Sequence, residues 1–202
     1  MMFNYVPTYY YPTFRKTDSL QCTTASVDLN RKLRSLWEQH VFWTRLTVNS
    51  IVDGVGDVQP TTARLLRNPS DFAQVLAPIY GTAIAGQFEK LLREHLTIAA
   101  ELVTDLKSGN STAAADAQKR WYANADEIAT FLAQINPYWS KVEWQRMMYE
   151  HLRLLTEEVG SRIAKDYVRN VELSDSIEPQ ALGMADMMTS GIVQQFPSVF
   201  QY

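Results

Sequence analysis

The chain has three histidines in 202 residues, and all three sit in the same short setting. Leu91-Leu92-Arg93-Glu94-His95-Leu96 is matched 56 residues later by Met147-Met148-Tyr149-Glu150-His151-Leu152. A third version, Leu36-Trp37-Glu38-Gln39-His40-Val41, lies 55 residues before the first. Neutral imidazole is a common ligand for transition metals. Three imidazoles converging from three helices make a facial site with open positions, the arrangement that catalytic metals use. The expected ligands are therefore His40, His95 and His151, holding one iron, manganese or zinc ion. Glu94 and Glu150 are the additional candidate oxygens. Neighbouring helical residues diverge by about 100°, so each glutamate reaches such a site only from a helix–helix corner. Gln39 holds their place in the first version and is a weaker candidate. The pattern marks a site without naming its reaction or its substrate.

The positions three and four residues from each histidine show what must carry it. Around His95 they are Leu91, Leu92, Ile98 and Ala99; around His151, Met147, Met148, Leu154 and Leu155; around His40, Leu36, Trp37, Trp43 and Thr44. At helical spacing each set forms one largely apolar face, so each histidine is expected in the middle of a core stripe. A buried imidazole needs partners for its nitrogens or it costs stability. A core histidine bonded to a carbonyl or carboxylate is the alternative to a ligand at each position. The Met184, Met187 and Met188 stripe reads as core filling.

The similarity extends beyond the motif. Residues 68–103 match 124–159 at the same offset without a gap, with Asn68/Asn124, Leu76/Leu132, Ile79/Ile135, Glu94/Glu150, His95/His151 and Glu101/Glu157 identical. The stretches at Asp71–Leu76 and Glu127–Leu132 continue into a third at Gly183–Met188. The expected fold is all-α, a bundle of three repeated helical hairpins with about six helices and no sheet. The helices are expected near 26–52, 61–79, 82–107, 111–135, 139–168 and 178–195, with Asn68-Pro69 either kinking the second or restarting it. Hairpins around a common axis bring the histidines together. Hairpins stacked as a solenoid keep neighbours about 10 Å apart, which prevents a shared ion.

Composition narrows the classes. With 46% hydrophobic and 20% charged residues the chain can build a sizeable core. A net charge of −3 argues against a nucleic-acid partner. No apolar run is long enough for a bilayer, so no membrane partner is expected. The single Cys22 rules out an internal disulfide framework and fits a reducing, cytoplasmic setting. The first residues lack the basic start and apolar centre of a secretory signal. Residues 1–24 read as a separate tail with Tyr5, Tyr9, Tyr10 and Tyr11 among prolines, 25–196 as the bundle, and 197–202 as a second tail. The second functional expectation rests on the first tail: a non-enzymatic, coat-like assembly protein forming homo-oligomers through tyrosine contacts. Nucleophilic catalysis has no sequence support, since no serine is tied by pattern to a histidine and carboxylate.

The run Glu38, His40, Phe42 and Trp43, with the later Glu94-His95 and Glu150-His151 pairs, resembles a bacterial family of helical-repeat proteins. Their Glu-His-x-x-Phe-Trp-like helices bind metal, and the similarity spans the helical region from His40 to Met188. The resemblance implies a metal-binding all-α protein. Leu96 and Leu152 depart from it where aromatics are expected, which leaves its ligand set open here. Similar chains are catalogued as acetylglutamate kinases, but no Gly-rich strand–helix junction for phosphate is present. The Glu-x-x-His pattern of ferritins and the His-x-x-x-Glu pattern of haemerythrins are absent at all three histidines.

Overall fold

Short polar residues cap four of the seven helix starts. In the computed structural model, which describes residues 23–200, Thr23, Asn110, Ser140 and Asp166 each precede a helix, and their side chains accept a backbone N–H three residues on. Gly54 and Gly109 end helices in the left-handed conformation. The resulting elements are α1 (Thr24–Asp53), α2 (Val58–Leu65), α3 (Asn68–Tyr80), α4 (Thr82–Ser108), α5 (Ser111–Ile135), α6 (Lys141–Ile163) and α7 (Tyr167–Gln195). A 3-10 turn, Pro197–Val199, follows α7. Among the described residues there is no strand, and the fold is an all-α bundle. The Tyr-rich segment and Cys22 lie outside the described residues.

Helix contacts close into a ring. Helix α1 packs on α3, α3 on α4, α4 on α5, α5 on α6, α6 on α7, and α7 returns to α1. Helix α2 lies against α1, which also touches α4 and α6. The chain therefore takes the common-axis arrangement instead of the open stack. The histidine helices α1, α4 and α6 alternate around the ring with α3, α5 and α7. Trp121, Trp144, Phe72, Phe88, Leu33 and Met184 are wholly buried in its core. Each such side chain contributes on the order of 1.5–3 kcal/mol by leaving water. A polar tie sits beside this core. Glu158, on α6, is 3% exposed and accepts from Arg45 on α1 and from Ser174 on α7. Burial raises the Glu158 pKa, and its hydrogen bond from Ser174 and the nearby Arg45 oppose the rise.

Three boundaries differ from the sequence expectation. The second helix divides at Leu66-Arg67, giving α2 and α3, with Pro69 in the first turn of α3. The fifth ends early, at Ile163, because Lys165 takes a φ of 60° and Asp166 caps the next helix. Helix α7 consequently starts eleven residues before the expected 178 and carries Pro179 in its interior. Pro179 and Asp175 are both exposed, so the carbonyl that the proline leaves unpaired faces water. At the C-terminal end, Phe200 is buried and Thr23 Oγ1 donates to its carbonyl at 2.7 Å, so this stretch packs onto the start of α1.

Two glycines in α7 offer a direct test of the packing. A Cβ at Gly191 would lie 1.9 Å from Nε1 of buried Trp139, whose indole donates to the Met187 carbonyl at 3.1 Å. A Cβ at Gly183 meets nothing within 4 Å. Gly191→Ala is expected to destabilise by about 1–3 kcal/mol or more through overpacking. Gly183→Ala is expected to stabilise by about 0.5–1 kcal/mol through helix propensity. Denaturant midpoints of the two variants check the contrast in sign.

Candidate metal centre

The three histidines are each 2% exposed, and each is held by the same three-part contact. His40 Nδ1 meets Asn68 Oδ1 at 3.3 Å, His95 Nδ1 meets Asn124 Oδ1 at 2.9 Å, and His151 Nδ1 meets Gln180 Oε1 at 2.8 Å. The amide nitrogens donate in turn to backbone carbonyls: Asn68 to Leu36 at 2.9 Å, Asn124 to Leu91 at 3.2 Å, and Gln180 to Met147 at 2.9 Å. Each carbonyl lies one helical turn before its histidine. Each amide comes from the next helix of the hairpin: α3, α5 or α7.

This geometry fixes the tautomer. A backbone carbonyl only accepts, so the NH2 end of each amide must face it and the oxygen end must face the imidazole. An amide oxygen also only accepts, so Nδ1 carries the proton. Nε2 is then left with its lone pair, and no other described residue hydrogen-bonds to it. Second-shell bonding of this kind is how proteins prepare a histidine to bind metal through the opposite nitrogen.

The three rings line one cavity of about 20 Å³ between α1, α4 and α6. The rings of His40 and His151 are in contact, with centroids 5.7 Å apart. Two imidazoles sharing a tetrahedral ion at Nε2 distances of about 2.0–2.1 Å have centroids about 5 Å apart, so this pair stands slightly too wide. The His95 ring instead contacts Trp121, at 5.3 Å. Among the described residues, no three His, Cys, Asp or Glu side chains already form a group able to hold an ion. Thr44, Thr47 and Trp121 line the cavity too, and Thr44 Oγ1, Thr47 Oγ1 and Trp121 Nε1 are buried without a hydrogen-bond partner.

The glutamates lie elsewhere. Glu94 is exposed, and Glu150 is half-buried and paired with Arg153 at 2.6 Å. Neither lines the cavity, because a residue next to a core histidine points about 100° away. Gln39 accepts from Arg64 at 2.9 Å. Glu101 pairs with Arg120, and Glu157 pairs with Arg153 and Arg169. The structure thus brings together His40, His95 and His151 and leaves the carboxylates on the surface.

The amides are what the sequence reading missed as partners. Asn68 and Asn124 had been matched as identical, and the same offset leads on to Gln180. Thr44 and Thr47 follow His40 by four and seven residues, on the same helical face. No family model matches the chain, and no curated protein or solved structure matches it.

Burial keeps all three rings neutral. It is the largest cause holding His95 down at about 3, with His151 adding and the Asn124 bond opposing. His40 is held well below its usual range by burial, then by His151 and His95, against the Asn68 bond. Burial lowers His151 as well, against the Gln180 bond.

Two predictions follow from these contacts. The unfolded chain binds protons at its histidines near pH 6.5 while the folded one does not, so folding stability falls as pH drops below about 6.5. The loss continues down towards the lowered folded pKa values, and it begins well above the range where carboxylates are protonated. Urea midpoints measured from pH 8 to pH 5 are expected to decline from about pH 6.5, less steeply in His95→Gln. Replacing a latch amide by an apolar residue strands an imidazole N–H. Asn124→Leu, at a position 3% exposed, is expected to cost about 1–3 kcal/mol. Gln180→Leu, at a half-buried position, is expected to cost less, and the same midpoints at pH 8 rank the two.

Proposed function

We propose that the protein binds a transition metal ion, iron, manganese or zinc, through Nε2 of His40, His95 and His151. In this reading it is a non-haem centre for redox or hydrolytic chemistry inside a bundle of three repeated hairpins. One observation carries the proposal: three amide latches hold three neutral imidazoles that line one cavity, each latched through Nδ1. A core histidine kept only for packing needs one partner, and a Leu or Met would avoid its desolvation cost altogether. Three latches of the same design on three facing helices fit ligands held in one tautomer. Closing the site requires the His95 ring to move toward the His40–His151 pair, into the cavity they share. Glu94 and Glu150 have no part in this ligand set. No helix among the described residues is long and apolar enough to cross a membrane.

A second reading has its own support. Each imidazole is already hydrogen-bonded, and no described group of three is set to hold an ion, so the latches also suit a purely structural role that ties neighbouring helices. A coat-like assembly protein, associating through its Tyr-rich segment, would need no more than this. The two readings separate on metal content. Protein purified without an affinity tag and reconstituted with iron, manganese or zinc is expected to hold about one equivalent by elemental analysis. His95→Ala and His151→Ala are expected to lose that ion. They should also lower the melting temperature more in loaded protein than in stripped protein, because binding stabilises the native state by mass action. Full metal retention in both variants, or no stoichiometric uptake by the parent, would overturn the proposal in favour of the structural latch.

A further inference from the structure

Three of the six side-chain polar atoms buried without a hydrogen-bond partner among the described residues belong to the lining of one cavity. They are Thr44 Oγ1 and Thr47 Oγ1 on α1, and Trp121 Nε1 on α5, all on residues more than nine-tenths buried. His40, His95 and His151 supply the rest of the polar lining, among aliphatic groups such as Val48, Leu96 and Val103. A buried polar group left unmatched costs stability. Here such groups, from two helices, share one space with the three imidazoles. The space, about 20 Å³, has room for about one water-sized group.

The chemistry of the lining states what that group must be. The indole N–H only donates, a hydroxyl donates or accepts, and an imidazole protonated at Nδ1 can only accept at Nε2. An occupant that meets them must therefore both accept and donate. In the protein without metal the rings are neutral, held so by burial. No carboxylate, Lys or Arg among the described residues lines the space, so the occupant that fits is neutral. An apolar cavity stays dry, whereas a polar one with about two to four partners holds water. We propose that the cavity is a binding site for one neutral water molecule, which accepts from Trp121 and a threonine hydroxyl and donates to the histidines. Each amide latch joins only the two helices of its hairpin. The water joins α1, α4, α5 and α6 at once. This site belongs to the protein without an ion and does not rest on the metal reading. With room for one group only, an incoming ion has to displace the water.

The test uses the full chain, isotope-labelled and stripped of metal with a chelator. Nuclear magnetic cross-relaxation from water to the indole proton of Trp121 is expected, with the sign of a long-lived bound molecule. Its disappearance in Trp121→Phe assigns the signal. In the Thr44→Val/Thr47→Val double variant the same signal is expected to be lost, because the water loses its hydroxyl partners. Valine matches threonine in shape, and the hydroxyls it removes bond no protein group. A crystal structure of the stripped parent is the second measurement. One water is expected within about 2.7–3.2 Å of Trp121 Nε1 and of a histidine Nε2. A dry cavity in that crystal, or a Trp121 signal untouched by the double variant, overturns the proposal. Neither result bears on the metal reading, which metal content decides.

Discussion

The bundle depends on one constraint: a buried imidazole must have its N–H accepted, and water is not there to do it. The chain solves this three times with a carboxamide that serves as an adaptor between an imidazole and a carbonyl. Its oxygen takes the Nδ1 proton, and its nitrogen returns a hydrogen bond to the carbonyl one turn before the histidine. That carbonyl already accepts a bond within its own helix, so the second bond uses its remaining lone pair. Both ends of the adaptor lie on one helix and its body on the next. A slip of one residue along either helix shifts it by about 1.5 Å and turns it by about 100°, which breaks both bonds at once. Apolar packing tolerates such slips far better, so the latches set the register of each hairpin more sharply than the leucines around them do.

Register and electrostatics are linked through the same contacts. Donating Nδ1–H to an uncharged amide satisfies each ring without setting a carboxylate beside it, and burial holds the ring neutral against that bond. Aspartate in place of either asparagine would bring a negative charge to the same spot and favour the imidazolium, which the surrounding burial opposes. The amides therefore fix the tautomer, and burial fixes the charge. The glutamates beside the histidines or further along the same helices, Glu94 and Glu101 on α4 and Glu150 and Glu157 on α6, do not line the cavity. The one buried carboxylate on these helices among the described residues, Glu158, is spent on Arg45 and Ser174 instead.

Much of this was legible in the sequence, and the gaps have physical causes. The inward histidines followed from helical periodicity, and the all-α fold followed from the spacing of caps, glycines and prolines. Asn68 and Asn124 were visible as a matched pair, but Asn68 precedes Pro69 and so reads locally as a helix start. Its side chain is spent on His40, not on the N-terminus of α3. Gln180 differs in type from its counterparts and sits just after Pro179, which reads as a boundary. Pro179 in fact lies well inside α7, at a solvent-facing position where the lost hydrogen bond costs least. Glu94 and Glu150 misled because adjacency along a helix is not adjacency in space. Closure of the ring depends on α1 meeting α7, more than a hundred residues apart, and no local pattern carries that contact.

The three hairpins are not equivalent, and their differences fall where a site would need them. His40 and His151 stand ring to ring, while His95 lies against Trp121. Two latches use asparagine at buried positions, and the third uses glutamine, longer by one methylene and half-buried. Perfect threefold symmetry would have placed three identical rings about an axis with nothing beside them. Here three of the six buried unpartnered side-chain atoms among the described residues belong to the cavity lining: Thr44 and Thr47 follow His40 along α1, and Trp121 stands against His95. Buried hydroxyl and indole groups without partners cost stability that valine and phenylalanine would not. Trp144 carries the same cost away from the cavity, so what sets this place apart is the combination of two free hydroxyls, an indole N–H and three histidines in one lining.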